Sequence, residues 1–209
     1  ITGTVRCDWK HKENEFFDHN IQYLIPHSES TRGPKIAVGD VNKDGLDDFY
    51  ACGAIGQPGC LMIQRGNGEF SVADTGVFNA DFLYEDVDAI FFDADGDSDS
   101  DLYVASGGNE YAGNSPYLPD RHYLNDGKGS FRLAPAALPD VSAASKTCVR
   151  PADYDQDGDL DLFVGGRVIP GRYPETPESF LLLNDGKGKF TDHTASIAPA
   201  LKLIGMVTD

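Results

Sequence analysis

Three stretches of this chain gather carboxylates at alternating positions: DVNKDGLDD from Asp40, DADGDSDSD from Asp93 and DYDQDGDLD from Asp153. Each reads D-x-[DN]-x-D with a further Asp at the ninth place and a β-type apolar run directly after it. Carboxylates so close repel one another unless a counter-charge sits among them. A hard divalent cation taking about six to eight oxygen ligands supplies it, and calcium is the natural ion. The first loop offers Asp40, Asn42, Asp44, the carbonyl of Leu46, and Asp48. The second offers Asp93, Asp95, Asp97, the carbonyl of Asp99, and Asp101. The third offers Asp153, Asp155, Asp157, the carbonyl of Asp159, and Asp161, so that up to three structural Ca2+ ions are expected. Gly45 and Gly158 at the sixth place permit a tight bend, whereas loop two carries Ser98 there. A left-handed serine costs roughly 1–2 kcal/mol, which marks the second site as the weaker one. An EF-hand shares the opening of the pattern but needs a glutamate at the twelfth place and helical flanks. That place is Ala51, Val104 or Val164, inside apolar β-like runs. A single acidic stretch of this kind is ordinarily a solvated turn, and it is the three copies in phase that favour metal.

The elements that must carry these loops repeat with them. Behind each loop comes a second signature, RGNGEF (65–70), NDGKGSF (125–131) and NDGKGKF (184–190). Runs 35–39, 48–51, 61–64 and 71–73 read as four strands of an antiparallel meander. Runs 89–92, 102–105, 122–124 and 131–133 repeat it, as do 147–150, 162–165, 180–183 and 190–192. The fold class expected is all-β, with these meanders as blades of a β-propeller. Residues 1–34 form an N-terminal segment that packs on or completes a blade. Blade one is 35–88, blade two 89–146 and blade three 147–200, while 201–209 opens a further blade with 203–208 as its first strand. Propellers close with about four to eight blades, so a partial propeller with three complete blades is expected.

The balance of 34 acidic against 17 basic side chains gives a net charge of -17, which repels nucleic acid and anionic bilayers. No apolar run approaches the roughly 20 residues needed to cross a membrane. The chain opens at Ile1 without an initiator Met or a leader, as expected after removal of a signal peptide or for a piece of a longer protein. Cys7, Cys52, Cys60 and Cys148 lack zinc spacing. Cys52 and Cys60 bracket one strand connection, which leaves a disulfide and two buried thiols as open readings. The five histidines show no HExxH spacing, and neither GxSxG nor GxxxxGK[ST] occurs. His11 and Glu13, near Trp9, read either as an acid/base pair or as part of an N-terminal strand on blade one. Catalysis is not expected.

In a propeller the acidic loops and the Gly-rich turns share one end of each blade, and the connection between the second and third strands emerges at the other. From the ninth-place Asp to the equivalent position of the Gly turn is 25 residues in blade two (101 to 126), 24 in blade three (161 to 185) and 18 in blade one (48 to 66). The longer connections bring together Glu110, Tyr111, Tyr117, Arg121, Arg167, Arg172 and Tyr173. Two readings stand: a surface that binds a protein or glycan, or tyrosines covering sheet edges while arginines balance an acidic surface.

The acidic loops and N-D-G-x-G-x-F turns resemble the FG-GAP or VCBS repeats, calcium-bearing propeller blades also found in integrin α-subunit heads. More narrowly, WKHKENEF (9–16), LIPHSESTRGPKIAVGDVNKDGLDDFYACGA (24–54), SGGNE (106–110) and GGRVIPGRYPETPESFLLLNDGKGKFTD (165–192) are similar to cartilage acidic protein and ASPIC/UnbV-type proteins. The resemblance implies a calcium-binding propeller in an extracellular, cell-surface or periplasmic setting, acting as a scaffold, adhesion or ligand-recognition module. The alternative it leaves is a propeller domain of a surface polysaccharide-processing enzyme.

Overall fold

The computed structural model describes residues 9–73, 76–111, 115–141 and 144–208. Among the described residues, twelve strands form three four-stranded antiparallel sheets, each in sequential order. Blade one comprises β1 (Ile36–Gly39), β2 (Asp48–Ala51), β3 (Cys60–Gln64) and β4 (Phe70–Val72). Blade two comprises β5 (Asp86–Phe92), β6 (Asp101–Ser106), β7 (Arg121–Asn125) and β8 (Phe131–Leu133). Blade three comprises β9 (Ser145–Ala152), β10 (Asp161–Val168), β11 (Phe180–Asn184) and β12 (Phe190–Asp192). The first strands of successive blades, β1, β5 and β9, lie side by side as in a propeller.

The apolar cores lie between blades. Tyr50, Cys52, Leu61 and Ile63 of blade one pack with Ala89, Leu102, Val104, Tyr123 and Phe131 of blade two. Phe92, Tyr103 and Ala105 of blade two pack with Val149, Leu162, Val164, Phe180, Leu182 and Phe190 of blade three. Blade two therefore buries both faces, and β6 and β7 show no exposed position. The outward face of blade one stays open, with Ile36 and Val38 more than half exposed. This is the period-two alternation of a half-covered sheet.

β5 and β9 run longer than their apolar runs suggest. They extend through Asp86, Asp88 and Ser145, buried polar residues that the apolar pattern passes over. Asp88 accepts the Val149 N–H at 3.0 Å and Arg150 Nη1–H at 2.7 Å, joining blade two to the first strand of blade three.

One open reading closes and one expectation is corrected. Cys52 is a free, buried thiol, so no Cys52–Cys60 disulfide forms. Ala51 stands opposite Cys60 in the β2/β3 register, so Cys52 points to the other face of the sheet, into the core. Residues 9–34 hold no strand, only a short 3-10 turn at Asp18–Asn20, and form a strap across the ends of the blades. The chain after β12 forms α1 (Thr194–Ile197) and then a 3-10 turn at Pro199–Leu203, and no strand covers 204–208. Gly205, at φ +106°, breaks the extended run, and beyond it Val207 makes a single backbone bond to Gly166.

Candidate metal centres

Each acidic loop joins the first two strands of its blade and folds on the same scheme. The first aspartate reaches across the bend: Gly45 N–H donates to Asp40 Oδ2 at 2.8 Å, Ser98 N–H to Asp93 Oδ2 at 2.9 Å and Gly158 N–H to Asp153 Oδ2 at 3.2 Å. The fifth-place aspartate accepts the seventh N–H, Leu46 to Asp44 at 2.9 Å, Asp99 to Asp97 at 2.9 Å and Asp159 to Asp157 at 3.0 Å. The fourth and sixth residues are left-handed in all three: Lys43 and Gly45, Gly96 and Ser98, Gln156 and Gly158. Ser98 is thus left-handed as its position demands, but loop two places its glycine two residues earlier. Every loop carries one glycine and one non-glycine at these places, so Ser98 does not single out the second loop.

The ninth-place aspartate is the most buried carboxylate of each loop. Asp48 Oδ2 accepts the Val41 N–H at 3.2 Å and Oδ1 that of Gln64 at 2.8 Å. Asp101 likewise binds Ala94 N–H at 3.0 Å and Asn125 N–H at 2.8 Å, and Asp161 binds Tyr154 N–H at 2.8 Å and Asn184 N–H at 2.9 Å. One carboxylate therefore fastens the loop to the third strand and keeps second lone pairs for an ion. Burial, and then the charges of Asp95 and Asp97, push Asp101 up to about 7 against its two N–H donors.

Carboxylate oxygens of Asp93, Asp95 and Asp101 lie within 4.8 Å of one another, as do those of Asp153, Asp155 and Asp161. Asp95 Oδ1 is buried without a hydrogen-bond partner. Such donor sets fit a hard cation. Loop one has the amide of Asn42 where the others carry Asp95 and Asp155, and so lacks the third carboxylate of the set.

The loops also meet the Gly-rich turns. Asn125 Nδ2–H donates to the Val41 carbonyl of loop one at 2.8 Å and to Ser100 at 3.1 Å. Asn184 Nδ2–H donates to the Ala94 carbonyl of loop two at 2.8 Å and to Leu160 at 3.3 Å. Each NDGKG turn thus ties its own loop to that of the preceding blade. Lys43 of loop one pairs with Asp99 of loop two, which raises the lysine's pKa.

At the opposite end two of the expected surface residues are internal. Arg121 is 5% exposed, pairs with Asp81 at 3.3 Å and with Asp86, and lies 4.0 Å from the Tyr84 ring centre. Arg167 is 5% exposed and forks onto Glu29, Nε–H at 3.0 Å and Nη2–H at 2.9 Å. These guanidiniums anchor the strap and the connections rather than facing solvent. Tyr111 and Tyr117 meet at a tilt with ring centres 5.2 Å apart, Tyr117 meets Tyr84 edge-on at 5.6 Å, and all three rings are partly buried. Tyr173 N–H donates to Gln22 Oε1 of the strap at 2.9 Å, and Gln22 Nε2–H to Asn109 at 2.5 Å. Glu110 is half-buried, and only Arg172, paired with Glu175 at 2.5 Å, stands out into solvent. Asn109 and Tyr173 of the two connections thus both hold Gln22 of the strap.

The sequence reading missed Asn125 and Asn184 as ties between blades, although their recurrence at the start of each NDGKG turn was the available signal. It also missed Glu85, a buried carboxylate in an acidic run that resembles a linker.

Fold and loops together define three blades of a β-propeller with repeated acidic loops. Residues 93–164, from the first aspartate of loop two into β10, match the family described as FG-GAP-like repeat. No match was found among curated proteins. Among solved structures the chain is similar to an Agrocybe aegerita lectin that recognises non-reducing terminal N-acetylglucosamine, at 23% identity and a TM-score of 0.51. The alignment covers 77% of this chain and 37% of that one, so the likeness is one of fold over little more than a third of the lectin's length.

Proposed function

We propose that this chain is a calcium-stabilised propeller module that works outside the cytoplasm, at a cell surface or in a periplasm, and recognises a glycan or protein ligand without catalysing a reaction. The observation that carries the reading is one loop geometry built three times around clustered carboxylates. Ions at Asp40, Asp93, Asp153 and their partners would rigidify the end of each blade by ligation. On this reading the finer kinship is with cartilage acidic protein and ASPIC/UnbV-type propellers.

Support for a glycan comes from the similar lectin and from the groove between blades one and two. That groove has a volume of about 620 Å3 and is lined in part by Asn42, Arg65, Lys128, Ser130 and Phe131. Its size suits a small ligand, and its amide, hydroxyl and cationic groups suit sugar hydroxyls. Asn42 belongs both to the groove and to loop one, so an ion there would set the groove's shape.

A glycan array including terminal N-acetylglucosamine, run with calcium and after chelation, tests the reading. Calcium-dependent retention that Arg65→Ala and Lys128→Ala weaken is expected. A calcium-loaded chain that retains no glycan would remove glycan recognition and leave a protein ligand for a pull-down to identify.

A further inference from the structure

Two motifs noted above, WKHKENEF and SGGNE, meet in the fold at the end of blade two away from the acidic loops. Glu85 immediately precedes β5, and Glu110 follows β6 closely. The seven residues of β5 put roughly 20 Å between this end and loop two. Gly108, at φ +78°, allows the two glutamates to approach, since a Cβ there would strike the side chains of both. The strap lays Glu13 and Asn14 against them, and their proximity is felt in the Glu85 and Glu110 carboxyls respectively.

Each of the three glutamates is held by one oxygen and bare at the other. Glu85 Oε2 accepts the Ile55 N–H at 3.1 Å, Glu110 Oε2 the Asn109 N–H at 2.7 Å, and Glu13 Oε1 bonds His11 Nε2 at 2.6 Å. Glu85 Oε1, Glu110 Oε1, Glu13 Oε2 and Asn14 Oδ1 are all buried without a hydrogen-bond partner. Glu85 is only 1% exposed, so its bare oxygen has no water to turn to. A buried acceptor left unmatched is costly, and four together call for something to match them.

We propose that Glu13, Asn14, Glu85 and Glu110 hold a divalent cation of the hard, oxygen-seeking class, with calcium the first choice, at a site separate from the acidic loops. The four oxygens are the donor type such ions take, and the one-oxygen anchors would orient the carboxylates as a second shell does. A cavity of about 410 Å3 bordered by Glu13, Asn14, Ile55 and Gly56 gives the ion a way in. Burial, then the charges of Glu110 and Glu13, push Glu85 up to about 9 against the Ile55 N–H. The competing solution is therefore a proton. A proton on Oε1 would itself need an acceptor, which that oxygen lacks, whereas a cation satisfies several oxygens at once. An ion here would also pin the strap to blade two.

The single tryptophan, Trp9, reads the site, because its ring lies 5.9 Å from that of His11, the partner of Glu13. Terbium excited through Trp9 should give saturable luminescence that calcium competes away. Glu85→Gln with Glu110→Gln should abolish that signal and lower the calcium count in equilibrium dialysis by one, with circular dichroism confirming the fold. Asp95→Asn in loop two should leave the Trp9 signal intact, which separates this site from the loop sites. If the paired variant fails to fold, Asn14→Ala should weaken terbium binding severalfold. An unmodified chain with no Trp9-sensitised signal, or a folded variant with unchanged luminescence and calcium count, would overturn the proposal.

Discussion

Ser98 is where loop two departs from its partners, and the backbone answers by moving the glycine to position 96. Left-handed non-glycine residues cost roughly 1–2 kcal/mol, and each loop has one of them, Lys43, Ser98 or Gln156. Ser98→Gly and Gln156→Gly should therefore stabilise by similar amounts, each less than about 1 kcal/mol once the entropy of glycine is set against the relief. Urea melts in excess calcium read this, and a far larger gain for Ser98→Gly would restore the idea of a uniquely strained second loop. The ligand types were legible from spacing alone. The swap was not, because left-handedness at the fourth place has no composition signal when lysine or glutamine holds it. His122 makes the second residue-scale prediction. Burial takes its pKa down to about 4, between the rings of Phe92 and Phe190. A histidine lowered from about 6.5 contributes stability that is full above 6.5 and lost as pH falls toward 4, on the order of 3 kcal/mol. His122→Phe should flatten the acid side of the stability profile relative to the parent, and parallel profiles would show that His122 is not held neutral.

At the scale of elements, blades are joined by polar ties that cross between strands far apart in sequence. Asn184→Ala leaves the Ala94 carbonyl without its donor and should cost about 1–3 kcal/mol in denaturant melts. No loss would mean that this amide is dispensable. Arg167→Ala leaves the buried Glu29 with Arg32 as its remaining cation and should cost about 1.5–3 kcal/mol while leaving glycan retention unchanged. Lost retention at unchanged stability would return Arg167 to the recognition surface. The strands themselves were legible, since β2, β8 and β12 coincide with their apolar runs. The long connections were legible as insertions, but their role was not. Glu29 and Arg167 stand 138 residues apart, and only the closed fold shows that the guanidinium faces inward.

At the scale of the molecule, a chain of net charge -17 places its carboxylates at both ends of the blades. Apolar contact between blades supplies cohesion, and on the proposed reading the acidic loops oppose it until cations neutralise them. The three-blade pattern was legible because two signatures recur in phase. The strap was not, because its polar residues find their partners only across the assembled blades. Cations that bind the folded chain alone stabilise it by mass action. The most direct test is the melting temperature of the calcium-loaded chain against that of the same chain after EGTA, with ion removal verified by elemental analysis. The account predicts a fall of about 5 °C or more; an unchanged midpoint after verified removal would contradict it.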